Sequence, residues 1–185
     1  MKVNGREYRS IWLADDGIGV EIIDQTRLPF HFVTVRLNTL AEAMDAISRM
    51  LVRGAPLIGA TAAYGICLGL QERVSSQALE EMAVRLIGCR PTAVNLRWAV
   101  DRMLRVLLPL PEESRLSEAY REAARICEED VQTNEAIGRH GVTLIREIWS
   151  RKQQRGPVNI LTHCNAGWLA TVDWGTALAP VYAAV

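Results

Sequence analysis

Six consecutive residues near the end of the chain, Thr162-His163-Cys164-Asn165-Ala166-Gly167, carry its strongest chemical signal. An apolar run, Val158 to Leu161, leads into them, and a helical pattern from Trp168 leads out. This order predicts a strand, a turn and a helix. Ligands of open α/β sheets bind beyond the carboxyl ends of strands, and a helix N-terminus lowers a thiol's pKa. Cys164 is therefore a candidate nucleophile or acid. His163 is adjacent, but successive residues of a strand face opposite ways, so no His163–Cys164 ion pair follows. A cysteine is also a small apolar core residue, which is the reading given to Cys67, Cys89 and Cys127.

Two further stretches could hold an anion. Arg53-Gly54-Ala55-Pro56 falls between the first two helical patterns, and Arg90-Pro91-Thr92-Ala93-Val94-Asn95 leads into the fourth. Free N–H groups at a helix start attract anions. Arginine grips phosphate with two parallel hydrogen bonds, and glycine lets a ligand approach the backbone. Two arginines at two helix starts suggest one anionic ligand shared between them. The same residues equally fit two independent helix starts, with a glycine cap, a proline in the first turn and solvated arginines. The Gly54-to-Gly59 spacing is not a P-loop, because no strand precedes it and the Lys-Ser/Thr ending is absent.

The elements that must position these residues follow from periodicity. Tyr8–Leu13, Gly19–Asp24 and Phe30–Leu37 read as strands, with turn chemistry at Asp15-Asp16-Gly17, so a small antiparallel meander is predicted. Thr39 and Glu42 form a capping box, and Leu40, Ala43, Met44, Ile47 and Leu51 repeat at helical spacing up to a stop at Gly54. The next helix is apolar on all sides and rich in Gly and Ala, which predicts close packing by neighbours. A third helix is marked by Leu79, Met82, Ala83, Leu86 and Ile87. A fourth is opened by Pro91-Thr92 and carries Leu96, Val100, Met103 and Leu107. A long segment from Ser114 to Lys152 is predicted to divide at Gly138 and Gly141.

The fold class is thus α/β: a small N-terminal sheet and a helical bundle over residues 1–152, then a βα unit over 153–185. Apolar residues make up 49% of the chain and the formal net charge is +0. No basic excess points to nucleic acid, so Trp168 and Trp174 are read as packing residues. The apolar stretch Leu57–Leu70 is shorter than the ~20 residues of a membrane span. Scattered cysteines without a C-x-x-C pair point to reduced thiols in the cytoplasm. His31, His140 and His163 are far apart, so neither a metal nor a cofactor is expected.

Taken together, Arg53-Gly54-Ala55-Pro56-Leu57-Ile58-Gly59, Arg90-Pro91-Thr92-Ala93-Val94-Asn95-Leu96 and Thr162-His163-Cys164-Asn165-Ala166-Gly167 resemble the methylthioribose-1-phosphate isomerases of methionine salvage. That family sits in the translation initiation factor 2B alpha/beta/delta-like superfamily, which also holds ribose-1,5-bisphosphate isomerases and regulatory subunits. The resemblance runs from the Trp12 strand to the end. It implies an aldose–ketose isomerase acting on a phosphorylated sugar, with a helical domain followed by a Rossmann-like domain, usually as a homodimer. It implies that Arg53, Gly54 and Ala55 contact substrate, that Arg90 helps hold the phosphate, and that Cys164 is the catalytic thiol. Trp168 stands where the family often has a small residue, which would suit a related sugar such as 5-deoxyribose 1-phosphate. The family's catalytic aspartate lies well downstream of the cysteine. The chain is accordingly expected to be an N-terminal half with an incomplete Rossmann-like domain, inactive by itself.

Overall fold

Asn4 and Gly5, at φ 50° and 81°, turn the first residues into a hairpin. A computed structural model describes residues 1–185. The hairpin pairs β1 (Lys2–Val3) with β2 (Arg6–Glu7). The predicted meander follows as β3 (Ile11–Leu13), β4 (Val20–Ile23) and β5 (Thr34–Leu37), in that spatial order and antiparallel throughout. Ile11 opposes Ile22 and Val20 opposes Leu37, so one face of the sheet is apolar and buried. In the β3–β4 turn the Asp16 carboxylate accepts the N–H groups of Ile18 and Gly19 at 3.0 and 3.1 Å. Arg36 pairs with the same carboxylate and holds its pKa down at about 2.

Helix α1 (Leu40–Ser48) opens on the predicted capping box: Glu42 N–H donates to Thr39 Oγ1 at 3.2 Å, and Thr39 N–H donates back to the Glu42 carboxylate at 3.1 Å. It does not run to Gly54. Leu51 N–H donates to Ala46 C=O and Met50 N–H to Ile47 C=O, at 2.9 and 3.3 Å. This is a Schellman stop with Met50 in the left-handed position, φ 59°. Gly54 instead precedes α2 (Ala55–Leu70), whose residues from Leu57 onward are all buried. α1, α3 (Ser76–Cys89), α4 (Val94–Leu107) and α5 (Glu112–Arg151) surround α2. Thr92 does not cap α4. The Ala93 N–H closes a turn onto Arg90 C=O at 2.9 Å, and this pushes the helix start to Val94.

The 40-residue α5 is unbroken at Gly138 and Gly141, about 60 Å long. Those glycines make room rather than end a helix. A Cβ on Gly141 would lie 2.3 Å from Pro180 Cγ, and one on Gly138 would lie 3.1 Å from Ala179 C=O. Both neighbours belong to a short C-terminal helix, α6 (Ala179–Tyr182), seated on α5.

The architecture is mixed α/β, as the sequence indicates, but the terminal βα unit is not formed. Val158–Leu161 has no strand pairing, and Leu161 is 98% exposed. A parallel strand needs neighbours for its N–H and C=O groups, and none lies beside this run. The helix expected from Trp168 is a single 3₁₀ turn, Trp168–Ala170. That turn packs against the N-terminal sheet. Ser10 Oγ donates to Trp168 C=O at 2.9 Å, Gln25 Nε2 to Leu169 C=O at 2.6 Å, and Ser10 N–H to Val172 C=O at 2.8 Å.

One buried cation ties the helices together. Arg115, 4% exposed, donates to the carbonyls of Val74, Leu107, Leu108 and Leu110 and to Ser76 Oγ. It thereby satisfies the orphan C=O groups at the end of α4. Arg115→Leu keeps the volume but leaves those carbonyls without donors. It is expected to destabilise the fold by about 3 kcal/mol, read as a lower urea midpoint with an unchanged slope.

Candidate functional site

α2 and α4 start side by side because α2 is small where they meet. A Cβ on Gly59 would lie 3.0 Å from Asn95 C=O, so α4 crosses directly over glycine. The two helix starts therefore open into the same cleft, of about 570 Å³. Arg53, Gly54, Ala55 and Pro56 line it from the α2 side, and Arg90 and Thr92 through Asn95 from the α4 side. Cys164 and Asn165 reach it from the loop before the 3₁₀ turn. All five residues singled out from sequence, Arg53, Gly54, Ala55, Arg90 and Cys164, are brought together here.

The electrostatics favour an anion. Each helix start leaves first-turn N–H groups without intrahelical partners, and both dipoles place partial positive charge at the cleft. Neither Arg53 nor Arg90 is paired with a carboxylate. No Asp, Glu or His side chain lines the cleft. No group of three or more His, Cys, Asp or Glu is placed to hold a metal ion, and no helix is long and apolar enough to cross a membrane.

Cys164 stands apart from the other thiols. Cys67 and Cys127 are buried, and burial pushes Cys127 up to about 12 and Cys67 well above its ordinary value. Both stay protonated and serve as packing. Cys164 is exposed, in a bend with φ 90°. It is neither at a strand end nor at a helix N-terminus, so the predicted thiolate stabilisation by a helix is not built here. His163 is exposed and outside the cleft lining.

Gly54 also departs from expectation. Its φ of 98° suits glycine, but the close approach is by the chain itself. A Cβ there would lie 2.3 Å from Ala170 C=O and 2.4 Å from Ala170 Cα. Trp168 lies outside the cleft lining, so the pocket wall does not carry that departure from the family pattern. Trp174 packs against the main core. Sequence reasoning missed Met50, Ile58, Ala170 and Thr176 as lining residues. Met50 falls outside the apolar positions that mark the first helix, Ile58 stands in the Arg53–Gly59 motif without an assigned role, and nothing local marks Ala170 or Thr176.

The fold and site define a class. Residues 51–185 match the Initiation factor 2 subunit family, IF-2B, and the chain belongs to it. It is 56% identical over 185 residues to the methylthioribose-1-phosphate isomerase of Gluconobacter oxydans, and 58% identical over 185 residues to that of Acidiphilium cryptum. All of this chain is covered in both comparisons, and 50% of each relative. Among solved structures it resembles subunit delta of translation initiation factor eIF-2B from A. fulgidus, with TM-score 0.80 and 38% identity, covering 96% of this chain and 51% of that one. It also resembles the 5-methylthioribose 1-phosphate isomerase of Pyrococcus horikoshii OT3, with TM-score 0.78 and 32% identity, covering 96% and 50%. The chain spans about half the length of the curated relatives it matches.

Gly54→Ala adds a strained φ and a steric overlap at one point. It is expected to release the 3₁₀ turn before it unfolds the bundle. Hydrogen exchange would show faster amides at Ala170, Thr171 and Val172, with α2 through α5 still protected.

Proposed function

We propose that the cleft binds the phosphate of a sugar 1-phosphate, and that this chain contributes the phosphate-holding wall and the thiol of an aldose–ketose isomerase site. The proposed substrate is 5-methylthioribose 1-phosphate, the product its 1-phosphoketose, and the role methionine salvage. The observation that carries the reading is the convergence of unpaired Arg53 and Arg90, two helix starts and exposed Cys164 on one cleft. The names of the relatives support the choice of sugar.

The chemistry explains the donor set. A phosphate on C1 locks the sugar as a ring, so no free aldehyde forms. Isomerisation breaks the C1–ring-oxygen bond, moves hydrogen from C2 to C1, adds a proton to the ring oxygen and removes one from the C2 hydroxyl. No atom is gained or lost. Arg53, Arg90 and the helix starts would hold the phosphate while this proceeds. Cys164 would sit beside the reacting carbons. The ring oxygen needs a general acid with a pKa near working pH, and the cleft holds no carboxylate or imidazole. The acid is assigned to residues outside 1–185, consistent with relatives twice as long. The reading takes 1–152 as the helical domain and 153–185 as the beginning of a Rossmann-like one. It includes a homodimer in the cytoplasm, as the family resemblance implies, and no nucleic acid partner.

Two measurements test this. Calorimetry with 5-methylthioribose 1-phosphate should show Arg53→Ala and Arg90→Ala each weakening binding roughly tenfold to a hundredfold, the size of a lost charge-assisted hydrogen bond. Unchanged binding in both variants would remove the phosphate assignment. Residues 1–185 alone should bind the sugar phosphate without converting it; robust turnover by this piece would show that the acid lies within it.

A second reading is favoured by the same lack of an acid and by the likeness to the initiation-factor subunit. It is a regulatory protein that senses a phosphorylated metabolite. Binding without turnover by the protein as the cell makes it would select this reading over the isomerase.

A further inference from the structure

Met50 occupies a position that ordinarily belongs to glycine. It is the left-handed residue of the Schellman stop on α1, at φ 59°, with both hydrogen bonds of that motif in place. Side chains other than Gly and Asn are disfavoured there because Cβ crowds the backbone. A glycine would suit the backbone better and would leave the helix stop intact. Nor does the side chain repay the strain by burial, since Met50 is 45% exposed. It lines the cleft, three residues before Arg53. A long apolar side chain kept at a glycine position, half exposed, facing a ligand cleft, points to a job in that cleft.

The rest of the lining narrows the job. Arg53 and Arg90 are its only charged residues. Of the large apolar residues, Ile58 is 3% exposed and committed to the core, whereas Met50 and Val94 have surface to give. We propose that Met50 is a specificity-determining residue, whose flexible thioether packs on an apolar substituent at the end of the sugar remote from the phosphate. It thereby favours an alkylthio sugar phosphate over one ending in a hydroxyl or a second phosphate. Thioether side chains mould to irregular apolar groups, and with Arg53 and Arg90 both on the first phosphate, a second would need a further cation that the lining does not contain. This inference rests on the cleft being a sugar-phosphate site.

The test is Met50→Gly and Met50→Leu in the protein as the cell makes it, with 5-methylthioribose 1-phosphate and ribose 1-phosphate as paired ligands. Met50→Gly should leave the melting temperature unchanged or raise it, because glycine relieves the backbone. It should weaken the methylthio sugar roughly tenfold, in the range for one small apolar group in a pocket, and ribose 1-phosphate less than about twofold. Met50→Leu should restore most of the difference. Equal effects on both ligands, or no effect on either, overturn the inference while leaving the phosphate site standing. A wild-type protein that binds neither sugar overturns both.

Discussion

The burial of α2 on every side is the constraint from which the rest follows. The helix has no polar face, so stability requires that α1, α3, α4 and α5 cover it completely. Its glycines and alanines let those neighbours come close, and Gly59 lets α4 start directly over it. A helix covered on all its sides can present backbone to a ligand only at an end. At the N-terminal end that backbone is Gly54-Ala55-Pro56, where the orphan N–H groups and the positive end of the dipole lie. The position of the cleft is thus a consequence of core packing.

The arginines of the chain divide by what they face. Arg115 is consumed by the carbonyls at the end of α4, and Arg102 by Glu122 and Glu129 with Trp98 beneath it. These hold helices together and have nothing left for a ligand. Arg53 stands just before α2, where a cation opposes the dipole, whereas Arg90 caps the C-terminus of α3, where a cation suits it, and precedes the start of α4 at Val94. Neither is paired with a carboxylate and both line the cleft, which leaves them free for the anion of the proposed reading.

Local chemistry was legible in the sequence and long-range geometry was not. The capping box at Thr39 and Glu42 read correctly because two side chains and two N–H groups within four residues decide it. The three motifs of the cleft were legible as residue types and through their joint resemblance to a family, but not in their backbone roles: Thr92 does not cap α4, Cys164 lies in a bend, and Gly54 is approached by distant Ala170. Val158–Leu161 misled because an apolar run becomes a strand only beside another strand. Gly138 and Gly141 misled because a helical glycine can mean a break or a close neighbour, and the neighbour, Pro180, lies far along the chain. Asn4-Gly5 carries a strong hairpin signal that the polar residues around it obscured. Met50 escaped notice because a helix stop in a non-glycine residue leaves no mark in the sequence.

The cleft separates two functions that a catalyst has to combine. Fixed positive charge holds a phosphate equally in the ground state and in the transition state, so it sets affinity and does not by itself accelerate a reaction. Acceleration requires groups that act more strongly as bonds change. Cys164 reaches the cleft, but it is exposed and in a bend, at neither a strand end nor a helix N-terminus. A thiol in water with no neighbouring acid is a poor partner for proton transfer to a ring oxygen. Enclosing Cys164 with an acid would exclude water from the cleft and strengthen the field of both arginines at once. A catalytic role for this cleft would therefore require a covering wall as much as one more catalytic group.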